Sequence, residues 1–373
     1  MAYTLKAEEQ APSDGDVNKA PEPENVYSET PQSILDKTEA VRSPYGSAGE
    51  DVFSVSQVVK MVEDTVVVID VTVKTGNSIF GTQTDTGSGS GVVISADGYI
   101  LTCHHVVDGA TSIKVTLNSG VKYEATLVGS DDDSDLAVIK IEPTDDLVYA
   151  EQGCSADLLV GECIVAIGNP LGKLGGTVTD GIISATERNI KMSDGTVMTL
   201  LQTNAAINSG NSGGGLFNLD GKLIGIVNAK YAAEGVEGLA FAIPIDHAYE
   251  VQLDLIQYGY VRGIVDDGLE MVDINFDNFN WYQQEQYKRD YGIYCSGVYV
   301  LSSAYCEELE NADRIISVNG TAVNSVSDLN STVSKYQVGD TLTILASRDG
   351  KEFTTTLTLR EYIPDYIQKS AND

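Results

Sequence analysis

The hydrophobic positions of this chain come in short bursts separated by turn residues. From about Val52 to Ile245 the runs SGVVISADGYILTCHHV, SIKVTLNSGVKYEATLVGS, LAVIKIE, ECIVAIGNP, TVTDGIISATE and KLIGIVNAKY follow one another without helical stretches between them. Asp97-Gly98, Asn118-Ser119-Gly120 and Asp220-Gly221 stand where hairpins must turn. Such a series predicts a mainly β unit, built as antiparallel barrels or a sandwich. SVSQVVKMVEDTVVVIDVTV opens it with a helical turn that runs into a strand.

The pattern changes after Ile245. Ala248, Val251, Leu255 and Ile256 fall near one face of a predicted connector helix over His247–Tyr258, with Asp246 as its cap and Gly259 as its stop. A second β-rich unit follows from Val261 to about Tyr362, with strands at GVYVLSS, RIISVNG, DTLTILASRDG and EFTTTLTL. One helix is predicted near Ser327–Lys335, starting at Ser327 or Asp328. The insertion FDNFNWYQQEQYKRDYGIY holds the sole tryptophan and reads as a surface helix or loop that packs its aromatics down.

Length and composition sharpen this outline. A chain of 373 residues predicts two or three domains. Residues 1–50 are rich in Glu, Asp, Ser, Pro and Ala and cannot bury enough apolar surface to offset ordering, so they read as a disordered acidic arm. The remaining boundaries are 51–245, 246–260 for the connector, 261–363, and a tail at 364–373. The formal net charge of −32, from 55 acidic and 23 basic residues, argues against nucleic acid or an anionic membrane surface as a partner. No run approaches a membrane span, and no basic segment followed by an apolar core stands at the start, so the chain as written carries no export signal or anchor. The five cysteines include no CxxC pair, which argues against zinc or thioredoxin-like chemistry. Cys154 with Cys163, and Cys295 with Cys306, could pair or remain thiols. No phosphate-binding loop and no metal cluster is evident, so neither cofactor nor metal is expected.

The candidate chemistry centres on TNAAINSGNSGGGLF, Thr203 to Phe217. A serine hydroxyl needs a base and an anion-stabilising pocket to act as a nucleophile. Glycines around Ser212 allow a tight turn that brings backbone N–H groups near a reacting carbonyl. His104 and His105 follow the apolar strand Tyr99–Thr102, where alternation lets only one of them face a given site. Asp131, Asp132 and Asp133 read as a solvated turn. Asp135 abuts the apolar strand Leu136–Ile139, where it can be partly buried and orient an imidazole. The chain order His, Asp, Ser across two β-rich halves is that of the chymotrypsin-type triad.

The segments GSGSGVVISADGYILTCHHVVDGA, SDLAVIKIE, AIGNPLG, TVTDGIISATERN, TNAAINSGNSGGGLFNLDGKLIGIV and GLAFAIPID together resemble the HtrA (DegP-like) serine proteases, from about Val52 to Tyr362. The resemblance implies a trypsin-like double six-stranded β-barrel followed by a PDZ domain. It makes His105 the general base, Asp135 its orienter and Ser212 the nucleophile. The oxyanion hole would be built over Gly210, Asn211 and Ser212, with the Gly210 and Ser212 N–H groups donating. Ala206, six residues before the nucleophile, would form the base of the specificity pocket, with Ile207, Asn228 and Tyr231 nearby. The substrate backbone would add as a strand against Ile226–Lys230, with Ile226, Val227 and Asn228 among the substrate-binding residues. An uncharged pocket base implies cleavage after small or medium apolar residues, which unfolded proteins expose. Asn204, Ser209 and Gly215 depart from the family's usual residues and predict a less rigid nucleophile loop.

GLEMVDI, GVYVLSS, DRIISVNGTAV and VGDTLTILASRDGKE resemble a PDZ domain. The likeness places its peptide-binding loop at Gly268 and Leu269, its groove helix at Leu329, and peptide C-termini as its ligands. The family likeness further implies an ATP-independent endopeptidase of extracytoplasmic protein quality control, acting on unfolded or misfolded polypeptides. It implies a homotrimer and, by likeness to the Gram-positive type, a membrane anchor before the acidic arm. Loops at 171–176, 189–196 and 228–238 would switch the oxyanion hole. The alternative reading is a non-proteolytic chaperone or peptide-binding scaffold on the same fold.

Overall fold

The computed structural model describes residues 53–78, 81–168, 177–191, 197–208, 210–229, 239–291, 295–364 and 367. The acidic arm and nearly all of the expected tail lie outside the described residues.

Six strands close the first barrel: β1 (Val66–Ser78), β2 (Gly81–Val93), β3 (Tyr99–Cys103), β4 (Ala110–Thr116), β5 (Lys122–Asp131) and β6 (Leu136–Lys140), in the order β1-β2-β3-β6-β5-β4. The second barrel holds β7 (Cys163–Gly168), β8 (Thr177–Lys191), β9 (Val197–Thr203), β10 (Gly215–Asn218), β11 (Leu223–Asn228) and β12 (Ala240–Pro244), in the order β10-β11-β12-β9-β8-β7. Closure pairs every strand on both sides and leaves no barrel edge exposed. β4 follows the simple alternation, with Ile113 and Val115 turned inward and Lys114 outward. β6 and β11 instead carry runs buried on both faces. Their second face is covered because the connector helix packs across β5, β6 and β11.

That helix spans Ile245–Tyr258 and buries Ile245, Ala248, Val251, Gln252 and Leu255. Gly259 ends it in a left-handed conformation (φ 83°) that a side chain would disfavour, and its N–H reaches Leu255 O at 3.0 Å. Asp246 does not cap the helix: Pro244 occupies the cap, and Asp246 lies in the first turn. Its carboxylate accepts the N–H groups of Ser155 and Ala156 at 3.0 and 2.8 Å, tying the helix to the segment between the barrels.

The third unit starts with β13 (Val265–Asp266), which pairs with the final strand β20 (Arg360–Glu361). Its main sheet runs β14 (Leu269–Ile274), β15 (Gly297–Ser303), β16 (Arg314–Val318), β18 (Thr341–Arg348), β19 (Lys351–Thr358), with β17 (Thr321–Ala322) paired to β16. Val298, Val300, Ile315, Leu342, Ile344 and Leu357 form its core. The helix Val326–Val333 starts slightly earlier than predicted, because Ser325 Oγ accepts the Asp328 N–H at 3.0 Å and so takes the cap. The aromatic insertion forms a helix at Trp281–Tyr291. Phe276, Phe279 and Tyr287 pack with Ile274 and Tyr299, while Trp281 stays 79% exposed. All five cysteines are free thiols. Among the described residues no helix is long and apolar enough to cross a membrane.

Leu255 is fully buried between the connector helix and the barrels. Leu255→Ala should cost about 2–5 kcal/mol through lost transfer energy and the cavity left behind. Urea unfolding followed by circular dichroism measures it; a loss below about 1 kcal/mol would mean that the helix is not part of the barrel core.

Candidate active site

β3 is almost wholly buried and delivers a short helical turn, His104–Val107, at its end. The two histidines therefore separate by helical rotation and not by strand alternation. His105 turns to Asp135. His104 turns to the carboxylates of Asp108 and Asp132, at 3.9 and 3.8 Å.

Asp135 is fully buried and adopts a left-handed backbone (φ 53°), uncommon for a residue with a side chain. Its N–H donates to Asp132 O at 3.1 Å, and its carbonyl accepts the His104 N–H at 3.0 Å. The preceding turn is less solvated than its composition predicts. Asp131 accepts both the N–H and the hydroxyl of Ser134, at 2.9 and 2.6 Å, while Asp132 and Asp133 are exposed.

The Asp135 carboxylate accepts three hydrogen bonds. The His105 N–H reaches Oδ1 at 3.0 Å, His105 Nδ1 reaches Oδ2 at 2.7 Å, and Asn228 Nδ2 reaches Oδ2 at 2.7 Å. Burial pushes the carboxyl up, but the hydrogen bonds from the His105 ring and backbone and the electrostatic pull of that ring, helped by the Asn228 amide, outweigh it and hold Asp135 below the usual 3.8. An ionised carboxylate can only accept, so His105 carries its proton on Nδ1 and leaves the Nε2 lone pair free.

Ser212 comes from the other barrel, on the turn before β10. Its hydroxyl oxygen accepts the Ala229 N–H at 3.1 Å, and its carbonyl accepts the Ser90 N–H at 2.8 Å. Ser90 Oγ also donates to Gly210 O at 2.7 Å, and Thr102 Oγ1 donates to Ser90 O at 2.7 Å. The first barrel thus grips the nucleophile loop of the second. Gly213 is required by this grip. Its φ is 82°, and a Cβ there would lie 2.2 Å from Ser90 O and 2.3 Å from Thr102 Oγ1. The N–H groups of Asn211, Gly213 and Gly214 bond to Asn208, Val227 and Asn211 carbonyls. Among the described residues, those of Gly210 and Ser212 make no hydrogen bond.

The expected pocket residues divide. Ala206 is exposed, with its carbonyl held by Thr179 Oγ1 at 3.1 Å, and Ile207 is buried in the second-barrel core. Ile226 and Val227 do not offer side chains to a substrate: both are core residues. β11 pairs with β12 through Asn228 and with β10 as far as Ile226, and the Val227 N–H and carbonyl bond to Gly214 and Gly213, so a substrate strand cannot add along Ile226 and Val227. Asn228 is fully buried and holds Asp135, a role that reading it as a pocket residue missed. Tyr231 and Ser209 lie outside the described residues, as do 171–176, 192–196 and 230–238 of the expected switch loops.

In the third unit, Leu329 is buried in the core. The N–H groups of Gly268 and Leu269 donate to the side chains of Asp266 and Asp267, at 2.8 and 2.9 Å.

Two closed six-stranded barrels contributing opposite sides of a Ser, His and Asp constellation define a trypsin-like serine protease. The sequence comparisons agree. Residues 89–226 match the trypsin-like peptidase domain, and 284–359 match the PDZ domain. The chain is 36% identical over 332 residues to the serine protease Do-like HtrA of Bacillus subtilis, covering 83% of this chain and 73% of that protein. It is 39% identical over 286 residues to the periplasmic serine endoprotease DegP of Escherichia coli K12, covering 76% of this chain and 59% of that protein. A solved HtrA-type protease, AlgW with a decapeptide, superposes with a TM-score of 0.56 at 30% identity, over 84% of this chain and all of the other. The chain belongs to the HtrA (DegP-like) family of serine proteases.

Two outcomes follow from the buried carboxylate. Asn228→Ala removes a bond to a charged acceptor worth about 1.5–3 kcal/mol. It should lower stability by about that amount and reduce kcat with little change in KM, measured by urea unfolding and peptide hydrolysis; unchanged kcat contradicts the positioning role. Asp135, with its folded value depressed, contributes stability that is present above about pH 4 and lost as pH falls through the folded value. Asp135→Asn should therefore narrow the difference in stability between pH 6 and pH 3, read by chemical denaturation. An equal acid-induced drop in both proteins contradicts this.

Proposed function

We propose that the chain is an endopeptidase working by acyl transfer at Ser212, with His105 as general base and Asp135 as its orienter. The observation that carries this reading is the 2.7 Å contact of His105 Nδ1 with the buried Asp135 carboxylate, facing the Ser212 loop across the barrel interface. Nε2 takes the Ser212 proton as Oγ attacks the scissile carbonyl. The developing oxyanion takes the free N–H groups of Gly210 and Ser212, which are preorganised for charge that appears only in the transition state. The imidazolium then returns its proton to the departing amine, freeing the new N-terminus. Water repeats the cycle on the acyl-enzyme, and the serine is regenerated. Ser212 must first leave the Ala229 N–H and turn to His105, so the resting site carries one reorientation before attack.

Substrate choice follows from the pocket chemistry. Ala206 offers no charge to a basic side chain, which favours cleavage after small or medium apolar residues. Such residues are buried in folded proteins, so the substrates are unfolded or misfolded chains. Work outside the cytoplasm is supported by the periplasmic relatives from Escherichia coli and Haemophilus influenzae. Membrane attachment, a homotrimeric assembly and the capture of peptide C-termini rest on the family likeness alone. We assign the protease body to 51–245, the connector to 246–260 and the PDZ domain to 261–363, the last serving as a peptide dock.

A fluorophosphonate probe applied in the presence of unfolded casein should modify Ser212, and Ser212→Ala should lose both labelling and casein hydrolysis. In a panel of chromogenic peptides, those with Val, Ala, Ile or Leu before the scissile bond should be cleaved fastest. Labelling at another residue, or a preference for Arg or Lys, contradicts the reading.

A further inference from the structure

We infer that Cys103, His105 and Asp135 together form a site for a thiophilic divalent cation, zinc above all, and that the ion switches the protease off reversibly. The inference rests on the protease reading and adds a ligand to the same base. Cys103 and His105 stand two positions apart, and Asp135 follows thirty residues later, a spacing that does not announce a metal site. The fold gathers them. β3 pairs with β6 so that Cys103 lies opposite Leu136, beside Asp135, and the turn after β3 brings His105 to the same carboxylate. Cys103 Sγ, one ring nitrogen of His105 and one oxygen of Asp135 all lie within 4.8 Å of one another. Among the described residues no other three His, Cys, Asp or Glu side chains meet so closely.

The donor set is one that zinc favours. A thiolate with an imidazole and a carboxylate suits a borderline-soft ion, whereas magnesium and calcium take oxygen ligands. Tetrahedral bonds of about 2.0–2.3 Å hold ligand atoms about 3.3–3.6 Å apart. The His105–Asp135 pair, at 2.7 Å, must open slightly, and the sulfur must close by no more than about 1.3 Å. The sulfur's bond to Val227 O is long, 3.4 Å, and is given up at little cost. The support behind the carboxylate stays: the His105 N–H remains on Oδ1 and Asn228 Nδ2 on Oδ2, which orients Asp135 as a ligand. Cys103 and Asp135 are fully buried, while the His105 side chain is 26% exposed and gives the ion its way in.

Charge and protons balance. Cys103 loses its thiol proton to water, and the thiolate and the carboxylate together cancel the two charges of the ion. Metal bonds to sulfur, nitrogen and oxygen form, and the hydrogen bond between His105 Nδ1 and Asp135 breaks. His105 coordinates through Nδ1, the nitrogen that faces Asp135, and its proton moves to Nε2, so the ring stays neutral. Nε2 then carries a proton and cannot accept one from Ser212, and attack stops. Removing the ion returns the proton to Nδ1.

The test uses the full chain under buffered free zinc, with hydrolysis of a Val peptide and nitrogen-15 NMR of the imidazoles. Half-inhibition should come at about 1 µM free zinc or below, the order for three protein ligands in place of a structural four. A chelator should restore the rate, cadmium should act as zinc does, and magnesium should not inhibit. Bound zinc should move the His105 proton from Nδ1 to Nε2. Cys103→Ser, measured against its own metal-free rate, should need at least about a hundredfold more zinc, because even a residue that only supports a ligand is worth about 10–100-fold. Full activity at about 10 µM free zinc overturns the proposal. Inhibition that Cys103→Ser leaves unchanged puts the ion elsewhere and overturns the site, as does a His105 Nδ1 proton that persists under saturating zinc. If Cys103→Ser does not fold, the NMR of the unsubstituted chain decides alone. A chain that cleaves nothing without metal overturns the protease reading and the inhibition with it, while the imidazole signal judges the site by itself.

Discussion

A single buried carboxylate organises the catalytic half of this molecule. An ionised group with no exposed surface is tolerated only when its lone pairs are taken by donors, because the cost of removing it from water is several kcal/mol. Asp135 meets that condition with donors from both barrels: the backbone and ring of His105 from the first, and the amide of Asn228 from the second. Separating the barrels would strip the charge of a partner. The requirement that positions the base therefore also holds the two β units in register. The left-handed backbone at Asp135 and the Asp131–Ser134 bonds that shape the preceding turn serve to aim this carboxylate.

The nucleophile obeys a second constraint, of space. Ser90 bonds to the loop on both sides of Asn211, and only a residue without a side chain fits at Gly213 beneath it. The loop is fixed at its base. Its reactive groups are left adjustable: the Ser212 hydroxyl rests on a backbone N–H, and the buried Asn211 Oδ1 has no partner among the described residues. Reorienting the hydroxyl breaks that one weak bond.

Local pattern made much of this legible. Strand runs and turn residues disclosed two β-rich units and a connector helix, because period and turn chemistry are properties of adjacent residues. His105, Asp135 and Ser212 stood out because the surrounding motifs are specific. What stayed hidden depends on partners far apart in the chain. Asn228 was read as a pocket residue, yet its amide serves a carboxylate 93 positions away. Asp246 looked like a helix cap, yet it ties down residues about 90 positions earlier. Ile226 and Val227 were assigned to substrate, but barrel closure pairs their strand on both sides. Gly268 and Leu269 were legible as the peptide loop; that the side chains of Asp266 and Asp267 occupy its N–H groups became visible only with the turn folded.

The central claim is that buried Asp135 fixes the proton of His105 on Nδ1 and so makes Nε2 the base. Nitrogen-15 NMR of the full chain with labelled imidazoles tests it directly, since only three histidines must be resolved. At neutral pH His105 should show a strongly downfield Nδ1 proton and an unprotonated Nε2, and Asp135→Asn should remove that signature. A neutral His105 protonated on Nε2 in the unsubstituted protein would contradict the account.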